Sequence, residues 1–311
     1  MSLDPAIRPM LDQVAAAGVP TLREAGVEQG RQMYQRIAML DGDPVTVERV
    51  EDISIDGAIP GRVYASAIGR PLPMLVWFHG GGFVIGDLET ADRTCRKLAA
   101  GFEMLVVSVG YRLAPEEPFP AGPDDCFSAL FWLIDNATRL GGDPTRVAIG
   151  GDSAGGNLAA VTALRARDQG LPLHCQVLLC PVADCTMASA SYHAYGEGYL
   201  LTRDDMDWFI DHYLSGRQDA KDPRVSPLYA SSLRGVAPAL IITAEFDPLR
   251  DEGEAYGERL RDAGVEVEVR RFDGQVHGFF GLSSITSVAE EAIDLVTARL
   301  RAAFEEPSPR R

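Results

Sequence analysis

The stretch Gly150-Gly151-Asp152-Ser153-Ala154-Gly155-Gly156 joins an apolar run, Arg146 to Gly150, to a helix-forming one, Asn157 to Arg165. A serine flanked by glycines at a strand-to-helix junction has the pattern of a nucleophile elbow. The turn is too sharp for side chains at 151 and 155, and the serine hydroxyl is left standing at a helix N-terminus. Unpaired N–H groups there carry partial positive charge, which favours negative charge developing nearby. With 31 glycines among 311 residues, G-x-S-x-G alone is weak evidence, so its surroundings have to decide.

Three segments elsewhere supply them. His79-Gly80-Gly81-Gly82 follows the apolar run Met74–Phe78, Asp247 follows Ala239–Phe246, and His277 comes after Val265–Phe272. The order Ser153, Asp247, His277 is that of α/β-hydrolases and differs from the orders of the chymotrypsin and subtilisin folds. These three are the candidate catalytic residues. Asp247 is preferred as the acid because it sits just past a strand end and before Pro248, where a loop can reach the imidazole. Glu245 is expected in or beside the strand, and Asp251 on the next helix. Asp152 reads as structural, its side chain directed away from the hydroxyl, and His174, His193 and His212 read as surface or cap residues.

The glycine run at 80–82 has a rival reading as a phosphate loop, since Gly81 and Gly86 have the required spacing. Asp87-Leu88 stand where such a loop needs Lys and Ser or Thr, and that removes the rival. Read as an oxyanion hole, the run presents the backbone N–H groups of Gly81 and Gly82, joined by that of Ala154. His79 is expected to anchor this loop.

Helical patterns over 4–17 and 20–39, separated by Gly18-Val-Pro20, precede a β pattern. Val45–Ile55 alternates apolar and polar, and Gly61–Ser66 follows a turn, which predicts an antiparallel hairpin at a sheet edge. Apolar runs at 74–78, 104–109, 147–149, 177–179, 239–243 and 265–272 then alternate with helices, the signature of a parallel sheet covered on both faces. Residues 184–228 break the alternation with an aromatic-rich stretch and a helix from about Arg203 to Leu214. The predicted organisation is therefore a hydrolase core over 45–183 and 229–311, with 1–44 and the insertion 184–228 forming a helical cap over the C-terminal edge of the sheet. Met10, Phe83, Tyr195, Tyr199, Leu200, Trp208 and Phe209 are the candidate walls of a substrate pocket.

A net charge of −16 argues against nucleic acid or an anionic membrane surface as partner, and no apolar run reaches the length of a membrane span. Met1 to Met10 lacks the pattern of a secretory signal, so a cytoplasmic location is expected. Cysteines 95, 126, 175, 180 and 185 are odd in number and lack C-x-x-C spacing; they read as small buried residues, not as a disulfide framework or zinc site. Glu305 to Arg311 reads as a frayed tail.

His79-Gly-Gly-Gly-Phe83, Tyr111-Arg-Leu-Ala-Pro-Glu116 with Phe119-Pro-Ala121, Gly151-Asp-Ser-Ala-Gly-Gly156, Asp247-Pro-Leu-Arg-Asp-Glu-Gly253 and His277-Gly-Phe279 together resemble the hormone-sensitive-lipase-like esterases, the bacterial family IV carboxylesterases. The resemblance spans roughly residues 45–300. It implies an α/β-hydrolase fold, a mostly parallel eight-stranded sheet with a helical cap, hydrolysis of short- to medium-chain acyl esters through an acyl-enzyme, and no cofactor or metal. Glu117 departs from the histidine common at that place, and Gly122-Pro123 follows Phe-Pro-Ala; neither touches the triad. An amidase, thioesterase or acyltransferase on the same triad, and a small-molecule receptor that has lost catalysis, are the alternatives. The expected partner is a small ester, and a homodimer is compatible with the sequence.

Overall fold

A computed structural model describes residues 2–214, 216 and 219–305. The tail read as frayed lies, beyond Glu305, outside the described residues. Eight strands form one sheet in the order β1-β2-β4-β3-β5-β6-β7-β8. They are β1 Arg49–Ile55, β2 Ile59–Ala65, β3 Leu72–Phe78, β4 Leu105–Val109, β5 Gly142–Asp152, β6 Gln176–Leu179, β7 Ala239–Phe246 and β8 Val267–Val276. β1 and β2 pair antiparallel, as do β2 and β4; every other pairing is parallel. The fold is thus the mostly parallel α/β-hydrolase sheet, with the hairpin at its edge.

Burial explains which strands were easiest to read. β3, β4 and β7 are buried at every position, as strands covered on both faces must be. β5 is longer than its apolar run because residues 143–146 are only partly covered, while Val147 to Asp152 are buried. Around the sheet lie α3 (Leu88–Gly101), α4 (Ala121–Asp135), α5 (Ala137–Leu140), α6 (Ala154–Asp168), α9 (Arg250–Asp262) and α10 (Val288–Glu305), with α1 (Ile7–Ala17), α2 (Leu22–Ala38), α7 (Ser191–Tyr195) and α8 (Arg203–Tyr213) outside that alternation. α2 starts with a Thr21–Glu24 capping box and is interrupted at Gly26, where φ is +74°.

The chain runs from β3 to β4 on one side and then crosses back to β5 on the other, so β3 and β5 flank the point where strand order reverses. Ligands of open α/β sheets bind outside the C-terminal ends of the strands at such a point. Phe78 of β3 pairs with Gly151 of β5, which sets the glycine run after β3 beside the elbow after β5.

The four outer helices meet at that same edge. Ile7, Met10 and Leu11 of α1 pack with Phe246 and Val276 at the C-terminal ends of β7 and β8. Just before α1, Asp4 N–H donates to Gly274 O, and its carboxylate accepts from Gln275 Nε2 and Thr286 Oγ1. Arg23 of α2 pairs with Asp204 and Asp207 of α8, joining the N-terminal helices to the insertion. His174 departs from the surface reading: it is buried, because α10 brings Phe304 over the entry to β6. All five cysteines are buried, as read from the sequence.

Candidate active site

Ser153 has φ +55° and ψ −118°, a conformation that L-residues adopt only when surroundings impose it. The surroundings are visible. A Cβ on Gly155 would strike the carbonyls of Phe78 and His79, and one on Gly151 would strike those of Phe78 and Gly155. Ser153 N–H donates to Leu179 O at 2.8 Å, and Val182 N–H donates to Ser153 O at 3.2 Å, so β6 and the segment after it hold the elbow from the far side.

The hydroxyl Oγ of Ser153 lies 3.1 Å from His277 Nε2, and His277 Nδ1 lies 2.8 Å from Asp247 Oδ2. With the proton on Nδ1, the ring donates to Asp247 and accepts from the serine. The other carboxylate oxygen, Asp247 Oδ1, accepts the Leu249 N–H at 2.8 Å, and the group is wholly buried. The two rival acids are occupied elsewhere: Glu245 Oε2 accepts from Gly274 N–H, and Asp251 pairs with Arg250 and accepts the Ser191 N–H.

Asp152 packs its carboxylate against the backbone of Gly80. Burial pushes its pKa up to about 7, against the opposing pull of the His277 charge and of the Gly80 amide. His79 is buried, stacks on Tyr111 with centroids 4.3 Å apart, and its carbonyl accepts from the Tyr111 hydroxyl. Burial also lowers the His79 pKa, which keeps this anchor neutral.

Gly81, Gly82 and Phe83 have φ of +113°, +58° and +67° in succession. Gly81 O accepts from both Val84 and Ile85 N–H. The Gly82 N–H, across the same planar trans peptide, is thereby turned the opposite way. Among the described turn, loop and cap hydrogen bonds, none is donated by the amides of Gly81, Gly82 or Ala154.

The candidate wall residues separate into two groups. Phe83 stacks on Tyr213 at 3.9 Å between centroids, and the Phe209 ring lies where a Cβ on Gly82 would have to go, so both belong to the glycine-loop side. Tyr195, Tyr199 and Leu200 gather instead with Met10, Phe246 and Leu282 on the His277 side. Trp208 is buried against Phe209 and His212.

Two residues at the site were not placed there by the sequence: Glu252 gave no sign beyond its quoted segment, and Cys180 was read only as a small buried residue. Glu252 is buried, and its Oε1 accepts the N–H groups of Ala183 and Asp184, tying the start of the insertion to the helix after Asp247. Cys180 has φ +43°, and one atom each from Cys180, Asp247 and His277 lie within 4.8 Å of one another. Among the described residues this is the one cluster with the donors for a metal ion. Its chemistry fits the purpose poorly. Burial and the Asp247 charge push the thiol pKa well up, holding it protonated, and His277 Nδ1 already engages Asp247.

A family model described as the alpha/beta hydrolase fold matches residues 75–281. A carboxylic ester hydrolase, LipN, of Mycobacterium tuberculosis is 41% identical over 97% of this chain and 83% of its own length. The chain belongs to the α/β-hydrolases, among their hormone-sensitive-lipase-like esterases. An ethyl acetate hydrolase of Pseudomonas putida is 37% identical over 97% of this chain and 99% of its own. Of solved structures, a hyperthermophilic esterase from Pyrobaculum calidifontis superimposes with a TM-score of 0.92 at 42% identity, covering 97% of this chain and 99% of the other.

Proposed function

We propose that this esterase is a serine carboxylesterase whose triad is Ser153, Asp247 and His277 and whose substrates are short- to medium-chain acyl esters. The observation that carries the reading is the unbroken path from Ser153 Oγ through the His277 ring to the buried Asp247 carboxylate. His277 Nε2 takes the serine proton as Oγ attacks the ester carbonyl, and Asp247 holds the ring and stabilises its cation. The carbonyl oxygen becomes an oxyanion facing the N–H groups of Gly81, Gly82 and Ala154, each worth about 3 kcal/mol in such sites. His277 then protonates the departing alkoxide, and water releases the acyl group by the same route.

Helices within 1–44 and the insertion 184–228 act as a cap on the core formed by 45–183 and 229–311. The apolar groups on either side of Ser153, one around Phe83 and Phe209 and the other around Tyr195 and Leu200, bound what fits. A relative named for ethyl acetate hydrolysis supports small substrates, and the retained triad favours an ester hydrolase over a receptor. A cytoplasmic location belongs to the same reading. Among the described residues, no helix is long and apolar enough to cross a membrane. A homodimer is the remaining part of the proposal, read out by light scattering.

Ser153→Ala tests the core of this reading. Hydrolysis of 4-nitrophenyl butyrate should fall by about 10⁶-fold, with the folded structure retained, and a fluorophosphonate should label Ser153 alone in the parent protein. Substantial turnover by the purified variant, or labelling of another serine, rejects the assignment.

A further inference from the structure

The glycine loop after β3 holds three successive residues at positive φ, and the last of them, Phe83, has a side chain that disfavours it. Such a backbone persists only where neighbours fix it. One neighbour comes from far away in sequence. Arg31, in the middle of α2, donates from Nε to Val84 O at 3.1 Å and from Nη2 to Ala114 O at 3.3 Å. Ala114 in turn donates its N–H to Phe83 O at 2.9 Å. The guanidinium thus holds the loop at Val84 directly and at Phe83 through Ala114. It is itself oriented by a two-pronged bond to Glu116, at 2.9 and 2.8 Å, a geometry that a planar fork provides and a lysine does not.

Val84 also closes the turn that aims the Gly82 amide, because its N–H donates to Gly81 O. Through Val84, then, a residue of the N-terminal helices holds the peptide whose N–H faces away from that turn. We propose that Arg31 is a positioning residue for the oxyanion loop, so that α2 contributes to turnover as well as covering the site. This rests on the reading of Gly81, Gly82 and Ala154 as the oxyanion donors. Beside Arg31 opens a polar cavity of about 470 Å³, lined also by Gln35, Asp87, Arg112 and Glu116. Water can therefore replace the guanidinium without leaving a void in the apolar core.

The test uses Arg31→Met, which keeps length and removes every donor, Arg31→Lys as the conservative change, and Glu116→Gln, which leaves the carbonyl contacts available. Each is assayed for kcat and KM on 4-nitrophenyl butyrate and for inhibition by an alkyl trifluoromethyl ketone, whose serine adduct carries a tetrahedral oxyanion. Misplacing donors by a fraction of an ångström costs a sizeable part of their effect. Arg31→Met should lower kcat about tenfold and weaken the ketone by a similar factor, with KM within about threefold of the parent. Arg31→Lys should fall between, and Glu116→Gln should stay within about threefold on kcat. Unchanged kcat and ketone affinity in Arg31→Met overturn the proposal, as does a rise in KM alone, or a loss in Glu116→Gln as large as in Arg31→Met. If Arg31→Met does not fold, Arg31→Lys decides: joint loss of kcat and ketone affinity supports the role, and parental values for both overturn it. Fluorophosphonate labelling separates the two readings. Labelling away from Ser153 rejects the triad, whereas normal labelling with unchanged kcat in the Arg31 variants rejects only the role of Arg31.

Discussion

Helix α6, which carries the proposed nucleophile Ser153 at its start, buries twelve of its fifteen residues, whereas α2, on the same side of the sheet edge, buries Gly30 alone among seventeen. The first is fixed by close packing, where even a methyl group has no room at Gly155. The second is attached by a few half-buried apolar side chains, Leu22, Val27 and Tyr34, and by directional polar contacts: Arg23 to Asp204 and Asp207, Arg31 to the glycine loop, and Gln35 to Asp87 at 2.7 Å. Close packing transmits any change of volume, while exposed polar contacts are individually weak and tolerate exchange. On the proposed reading, most of the chemistry should therefore rest on the core and most of the selectivity on the outer helices, with the part-buried Arg31 contacts the exception through which α2 reaches turnover.

The largest separation is expected between the two neighbouring aspartates. Asp247→Asn should lower kcat by about 10⁴-fold, because an amide favours the wrong imidazole tautomer. Asp251→Asn should cost far less, since Asp251 contacts Ser191 and Arg250 and no group of the triad. Equal losses in the two variants, with folding intact, would remove Asp247 as the acid.

A smaller effect is expected in the cap. Phe209→Ala opens space over Gly82 and should move the optimum acyl length of 4-nitrophenyl esters upward, each added buried methylene being worth about 0.8 kcal/mol. Trp208→Ala should lower the melting temperature while shifting that profile less, because its ring packs against Phe209 and His212. An identical profile in parent and Phe209→Ala would show that the cap does not set chain length.

An effect on stability instead of rate concerns Asp152, where core and loop meet. Its carboxyl titrates near 7 in the folded chain against an ordinary value of 3.8. Between those values the folded state binds more protons than the unfolded one, so this group's contribution is greatest at low pH and is lost as pH rises from about 4 to 7. In Asp152→Asn that slope should vanish. Melting curves from pH 4 to 8 for both proteins decide it, and a constant offset between them would exclude the titration.

The sheet and the residues that meet at Ser153–His277–Asp247 were legible because each leaves a local mark. Strands covered on both faces are continuous apolar runs, and the elbow needs glycine where backbone passes within contact of Phe78. Ser153, Asp247 and His277 could be picked out by their order and by their places at strand ends. Arg31 left no such mark. Its partners are 53 to 85 residues away, and on a half-buried helix one arginine looks like another. Cys180 and Glu252 were hidden for a related reason: burial beside Asp247 is decided by how β6, β7 and α9 pack. The misreading of His174 came from the same source, since nothing beside it in sequence announces the Phe304 ring that covers it.

The contacts of Asp4 carry a consequence for biosynthesis. Its partners Gly274, Gln275 and Thr286 lie some 270 to 280 residues later in the chain. A ribosome adds residues one by one from the N-terminal side, so α1 is made early and then has no dock until β8 and His277 have been translated. Closing so long a loop is slow compared with local helix formation. Helix α1 is therefore placed only after His277, the last of the three proposed catalytic residues, has been made, and if α1 is part of the proposed cap a nascent chain has no finished pocket to expose.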